Sequence, residues 1–176
     1  MVKESELLAL KGKTREYGLC DKYKVKWDGC RSKRDLVDTA LDSNGIDFMA
    51  DSIAFGWGLS KEYLLNNFGE FSNGFYQRTK DGYTSEMYVG AHGVVTLKST
   101  LTLVAYCEDL EIVVPEHFIG QVYVCGGSNV RIENQGNVEL YEYGTNNVDI
   151  FEYYGSYTSR EAIRWSRWNN STQEKR

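Results

Sequence analysis

From Val95 to Ile150 apolar residues recur in pairs separated by one variable position, and turn-forming residues fill the gaps. Seven such units begin at residues 95, 101, 110, 122, 130, 138 and 148. Alternation with a period of two is the mark of a strand with one buried face. Asn129, Asn137 and Asn147 stand immediately before three of the units. Short strands at this spacing, with turns between them, predict either a β-solenoid or an antiparallel meander or sandwich. In a solenoid each coil turns at small or amide residues, and like positions stack from coil to coil. Hairpins would be joined by two-residue loops such as Asn-Gly or Asp-Gly. Asp81-Gly82 fits that pattern but precedes the array. The solenoid is therefore favoured. With two strands to a coil, Val130 is expected to stack on Val148 and Val122 on Val138, with Arg131 near Asp149.

The first half reads differently. Residues 5–10 suggest a short helix. Alternation from Thr14 to Asp28, with Tyr23, Val25 and Trp27 between Lys22, Lys24 and Lys26, predicts a half-buried strand with a lysine face. Ser32 is expected to cap a helix carrying Leu36, Val37, Ala40 and Leu41, with Asn44-Gly45 as its stop. Two further helices are predicted over Asp47–Phe55 and Lys61–Phe68, separated by Gly56-Trp57-Gly58 and a Ser60 cap. The second is too apolar to read a DNA groove, and a core role is the better reading. Residues 71–82 form a loop or hairpin, and Thr158–Trp168 reads as a helical cap over the end of the stack. The expected organisation is α+β. A helical and β-hairpin region spans residues 1–82, a single-chain β-solenoid 83–157, and a basic capping segment and tail 158–176.

The run NVRIENQGNVELYEYGTNNVDIF resembles the degenerate N-V-x-apolar β-solenoid repeats of many bacterial and phage proteins. That resemblance covers about a quarter of the chain and implies a way of coiling, with no catalytic residue. It also implies a scaffold, binding surface or attachment module, of the kind found in phage or mobile-element accessory proteins.

Charge sharpens the picture. The net charge of -5 divides along the chain: residues 1–34 hold ten Lys/Arg against five acids, whereas residues 108–157 hold nine acids against Arg131 alone. No nucleophile–base pair, P-loop or metal-protease motif is present, so catalytic residues, cofactors and metal ligands are all expected to be none. Cys20, Cys30, Cys107 and Cys125 have no C-x-x-C spacing and read as reduced, buried residues. No apolar run is long enough to span a membrane, and the first residues lack signal-peptide character, so a cytoplasmic location is expected (that of the host cell for a phage protein). The candidate binding surface is the acidic, aromatic set Glu133, Glu139, Tyr141, Glu142, Asp149, Phe151, Glu152 and Tyr153. It suits a protein partner with a basic surface, one version being an inhibitor that imitates nucleic acid; direct nucleic-acid binding is not expected, and a homo-oligomer stays open. The alternative is a carbohydrate-binding or glycan-processing solenoid, in which exposed rings stack on sugars.

Overall fold

The computed structural model describes residues 21–32, 35, 38–39, 41–42, 45–56, 60–68, 75–78, 84–152 and 156–161. Helices α1 (Asp21–Gly29), α2 (Gly45–Phe55) and α3 (Lys61–Phe68) precede ten strands. These are β1 (Phe75–Arg78), β2 (Thr84–Val89), β3 (Gly93–Thr96), β4 (Leu101–Ala105) and β5 (Leu110–Val114), then β6 (Ile119–Cys125), β7 (Asn129–Asn134), β8 (Asn137–Glu142), β9 (Asn147–Glu152) and β10 (Ser156–Glu161).

The seven apolar-x-apolar units are strands β3 to β9, and they wind as a parallel β-solenoid of about four turns. Alternate strands share a sheet. One sheet has the order β1-β2-β4-β6-β8-β10, the other β3-β5-β7-β9. All neighbours are parallel except β1, which runs antiparallel to β2. A meander or sandwich would need antiparallel neighbours throughout, so those alternatives are not supported. Asp81-Gly82 lies between the two antiparallel strands, outside the described residues.

The coil interior is dry and aliphatic over most of its length. Val95, Ile112, Ile132 and Ile150 form one column through register pairs. Facing them are Val104 and Val124, with Val122 opposite Leu140 on the same side. Burial of each such side chain stabilises the fold by about 1.5–3 kcal/mol relative to exposure, and stacking like on like fills the space without voids. Val130 lies opposite Val148 and Arg131 opposite Asp149, as expected. Val122 is opposite Leu140 rather than Val138, which meets Gly120. The cause is the corner: β7 and β8 are separated by Gln135-Gly136 alone, while Pro115–Phe118 separate β5 from β6. The shift is two residues, so each side chain keeps its face.

A second core lies outside the coil. The outer face of the six-stranded sheet presents Met87, Val89, Leu103, Ala105, Tyr123, Cys125 and Tyr143, and these pack with Trp27, Ile46, Phe48, Met49, Ala50 and Ile53 of the helices. Helix α2 crosses β4 and β6, and α3 reaches β2. The core role expected for Lys61–Phe68 fits this position: Leu64 is buried and Leu65 stands against Gly90.

Two expectations fail. Asp21–Gly29 is a helix, so there is no lysine-faced strand there. A strand would put Val25 and Trp27 on one face, yet Val25 is 69% exposed and Trp27 is fully buried against Phe48. A two-residue step on a helix turns the side chain about 200°, which separates them in this way. Asp21 also pairs with Lys24 at i,i+3, and Lys26 reaches Asp42 at 2.6 Å. At the other end, Thr158–Glu161 lies in β10, not in a capping helix. The free edge of β8 offers a full ladder to this Tyr- and Thr-containing segment, and Tyr157 pairs with Val138 and Ser159 with Leu140. Ala162–Trp168, residues 5–10, Tyr17, Leu19, Asn44 and Trp57 lie outside the described residues. The Ser32 cap is present: its Oγ accepts from the Asp35 N–H at 3.1 Å, while Asp35 Oδ2 accepts from the Ser32 N–H at 2.9 Å. Gly45 begins α2, and its N–H closes the preceding turn by donating to Asp42 O at 2.7 Å.

Candidate functional site

The two sheets differ in what covers them. Helices bury the outer face of β2, β4 and much of β6 in the six-stranded sheet and leave Glu139 and Tyr141 of β8 half-open, whereas side chains on the outer face of the four-stranded sheet are open or half-open along all four strands. Period two sends every second residue of β3, β5, β7 and β9 outward, and parallel register stacks them into two columns. One is Val94, Glu111, Arg131, Asp149; the other is Thr96, Val113, Glu133, Phe151. Strand spacing of about 4.8 Å therefore sets the charges on a nearly regular grid.

Arg131 sits at the middle of this grid. Its Nη2 donates to Glu133 Oε1 at 3.0 Å, and its guanidinium carbon lies 4.3 Å from the centre of the Phe151 ring. The ion pair, between half-exposed side chains, contributes no more than about 1 kcal/mol, and the ring contact adds about as much. Their effect is positional: the guanidinium is drawn toward the Glu133–Phe151 column and away from Glu111 and Asp149. Among the described residues, neither of those acids has an ion-pair partner. Phe151 is 43% exposed and Val94 67% exposed, so the face is negative with an apolar border.

The expected site does not form one surface. Glu133, Asp149 and Phe151 share the open face. Glu139 and Tyr141 point outward from β8, but on the other sheet, beside the helical core. There Gln121 Nε2 donates to Glu139 Oε2 at 2.8 Å, Tyr123 donates to Gln121 Oε1 at 3.0 Å, and Tyr141 stacks on Tyr123 at 4.8 Å with the rings 9° from parallel. Glu142 and Glu152 have the opposite parity from these residues: they register with interior Val124 and with buried Asn134. Tyr153 lies outside the described residues. Glu111, Val113 and Val94 belong to the face but were not singled out from the sequence, because a strand's neighbour here is one coil away rather than adjacent in sequence.

Tyr143, immediately after β8, is firmly engaged. It is buried, its hydroxyl donates to Asp47 of α2, and burial first, then the nearby Asp47, pushes its ionisation far upward. Cys107 and Cys125 are buried free thiols; burial raises Cys107 to about 11 and Cys125 well above its ordinary value. Neither is poised as a nucleophile. His92 and His117 are exposed. Among the described residues no group of three or more His, Cys, Asp or Glu could hold a metal ion, and no helix is long and apolar enough to cross a membrane. Comparison of the chain with protein-family models, curated proteins and solved structures gave no match.

The asparagines before strands form a ladder along one corner. Asn147 Nδ2 donates to Asn129 Oδ1 at 2.9 Å, and Asn129 Nδ2 donates to Asp109 Oδ1 at 3.1 Å. Asn137 belongs to the other sheet and is not part of it. One turn inward, Asn146 accepts from the Gly127 and Ser128 N–H groups and donates to Val124 O and Tyr143 O. These bonds tie successive turns of the corner to one another.

Proposed function

We propose that the chain is a non-enzymatic protein-interaction module that binds a basic partner through the open face of its four-stranded sheet. The observation that carries this reading is the asymmetry of cover: one sheet is packed under helices, and the other displays Glu111, Glu133 and Asp149 beside Val94 and Phe151. A rigid solenoid holds these groups in fixed register, so little side-chain order has to be gained on binding. Unpaired acids steer a basic surface, and Phe151 offers an anchor at the border. The finer version, a phage or mobile-element inhibitor that imitates nucleic acid, draws less support. Such a surface wants uninterrupted negative charge, and Arg131 stands in the centre of this one.

The carbohydrate reading also draws less support, since a sugar needs an open ring. Tyr123 and Tyr143 are 4% and 2% exposed, and the open Phe151 ring already carries Arg131. Two variants decide the matter in a pull-down on the full chain. E111Q/E133Q/D149N removes the charge of the open face, and E139Q removes an acid from the covered sheet. Capture of a basic protein is expected to weaken by at least about tenfold with the first variant and with added salt, and to persist with the second. Equal capture by wild type and the triple variant would sink the proposal; salt-insensitive glycan binding would favour the alternative.

A further inference from the structure

The largely aliphatic interior carries a cluster of polar groups at its first coil. Glu86 of β2 points into the coil, in the column Glu86, Thr102, Val122, Leu140. It is 3% exposed. Its Oε1 accepts from the Lys98 N–H at 3.3 Å and the Thr102 hydroxyl at 3.5 Å, and the Ser99 N–H and Tyr88 hydroxyl lie beside the carboxyl. Among the described residues no cation pairs with it. Ser99 Oγ, in the same turn, is buried without a partner.

What this carboxyl holds is the turn 97–100, which leads directly out of β3. Strand β3 is four residues long, forms the edge of its sheet and pairs with β5 alone. Val94 and Thr96 on it are exposed. Its attachment is thus a short ladder to β5, the packing of Val95 and Leu97 into the coil, and the turn, which Glu86 and the Thr84–Thr100 hydrogen bonds fasten to β2.

We infer that Glu86 is a proton-operated catch: protonated, it fastens the turn 97–100 and strand β3 to the first coil, and ionised, it lets them open. An ionised carboxylate buried here, with no counter-ion among the described residues, is disfavoured, and the N–H and hydroxyl donors around it offset only part of that cost. The neutral acid keeps an acceptor oxygen for the turn's N–H groups and gains a donor for a neighbouring hydroxyl. Burial accordingly moves the Glu86 ionisation upward, with the N–H and hydroxyl donors opposing it in part. Tyr88 and Cys107 beside it do not change charge near neutrality. Burial pushes Tyr88 far upward and Cys107, whose thiol meets the Tyr88 carbonyl, to about 11. Lys98 offers its backbone N–H and its side chain is exposed; β4 contributes Thr102, and β1 places Tyr76 opposite in register. A raised carboxyl ionisation stabilises the fold fully below the unfolded value of 4.5, and that contribution is lost as pH rises through the folded value. Opening β3 uncovers the edge of β5 and removes Val94 and Thr96 from the open face.

Amide hydrogen exchange on the full chain, corrected for intrinsic base catalysis, tests the catch. In the wild type, opening of Val94–Ser99 should increase above pH 4.5, by about tenfold for each unit by which folding raises the Glu86 ionisation. Strands β5 and β7 should show no such rise. In E86Q the opening should stay at the low-pH level of the wild type throughout. A flat wild-type profile, or the same rise in E86Q, overturns the inference. Should E86Q not fold, direct carbon NMR titration of the Glu86 carboxyl in the wild type decides: a midpoint at or below 4.5 overturns it, and a midpoint above, tracking β3 opening, supports it.

Discussion

Individual residues set the corners of the coil. After β2, β4, β6 and β8 the chain turns at Gly90, Tyr106, Gly126 and Gly144, each with positive φ between 55° and 76°. Tyr106 is the bulky member of that column, and its ring lies where a side chain on Gly126 would have to go. At Gly136 the demand on glycine is space rather than φ. A Cβ on Gly136 would come within 2.7 Å of the Phe118 and Pro115 carbonyl oxygens, which are backbone and cannot swing aside. A Cβ on Gly93 would meet nothing, so only its φ of 86° resists substitution. Gly136→Ala should therefore destabilise by about 2–3 kcal/mol and Gly93→Ala by about 1 kcal/mol. Urea denaturation that ranked them the other way would show that the corners are set by conformation rather than packing.

Elements show where pattern alone misleads. Lysines at 22, 24 and 26 alternate as on a strand edge, yet the segment is helical because Trp27 is drawn into the core with Phe48 while Val25 is left outside. Ser159 offers a helix start in the sequence, but an open β8 edge supplies backbone partners to an extended chain at once. The Ser32–Asp35 box, by contrast, is local and could be read directly. Hydrogen bonds from the Arg31 N–H, then Ser32, lower the Asp35 ionisation below its ordinary 3.8. Its contribution is full above 3.8 and is lost as pH falls through the lower folded value. Exchange of the Arg31 and Ser32 amides should accelerate on that acidification, beyond the intrinsic rate change, and the extra acceleration should vanish in Asp35→Ala. Persistence of the effect in the variant would assign it to another group.

At the scale of the molecule, stability follows the stack. Central coils have neighbours on both sides, while β3 and β9 end the four-stranded sheet, and in such arrays each layer is stabilised chiefly by those next to it. Exchange under native conditions should be slowest in β5 and β7 and faster in β3 and β9. A uniform rate across the four would indicate one all-or-none unit instead. The same layout makes the open face a property of the whole coil. Substituting Ile132, inside β7, by Ala should cost about 2–5 kcal/mol and disturb Arg131 and Glu133 beside it, whereas Phe151→Ala at the border should leave the melting temperature nearly unchanged and weaken capture of a basic partner.

The order of apolar pairs foretold the strands β3 to β9, since period two and turn residues are local physics, and it favoured a coil over a meander, with Val130 on Val148 if two strands make a turn. The asparagines before strands pointed to stacking, which Asn147 and Asn129 show and Asn137, in the other sheet, does not share. Which sheet each acid faces could not be read this way: Glu139 and Asp149 have the same local pattern, and only the helices packing on one sheet separate a covered face from an open one. Nor could the sequence show that Glu86, an alternating residue like any other, points into the coil with no counter-ion among the described residues. Parity assigns side chains to opposite faces, but the tertiary fold decides which face is water.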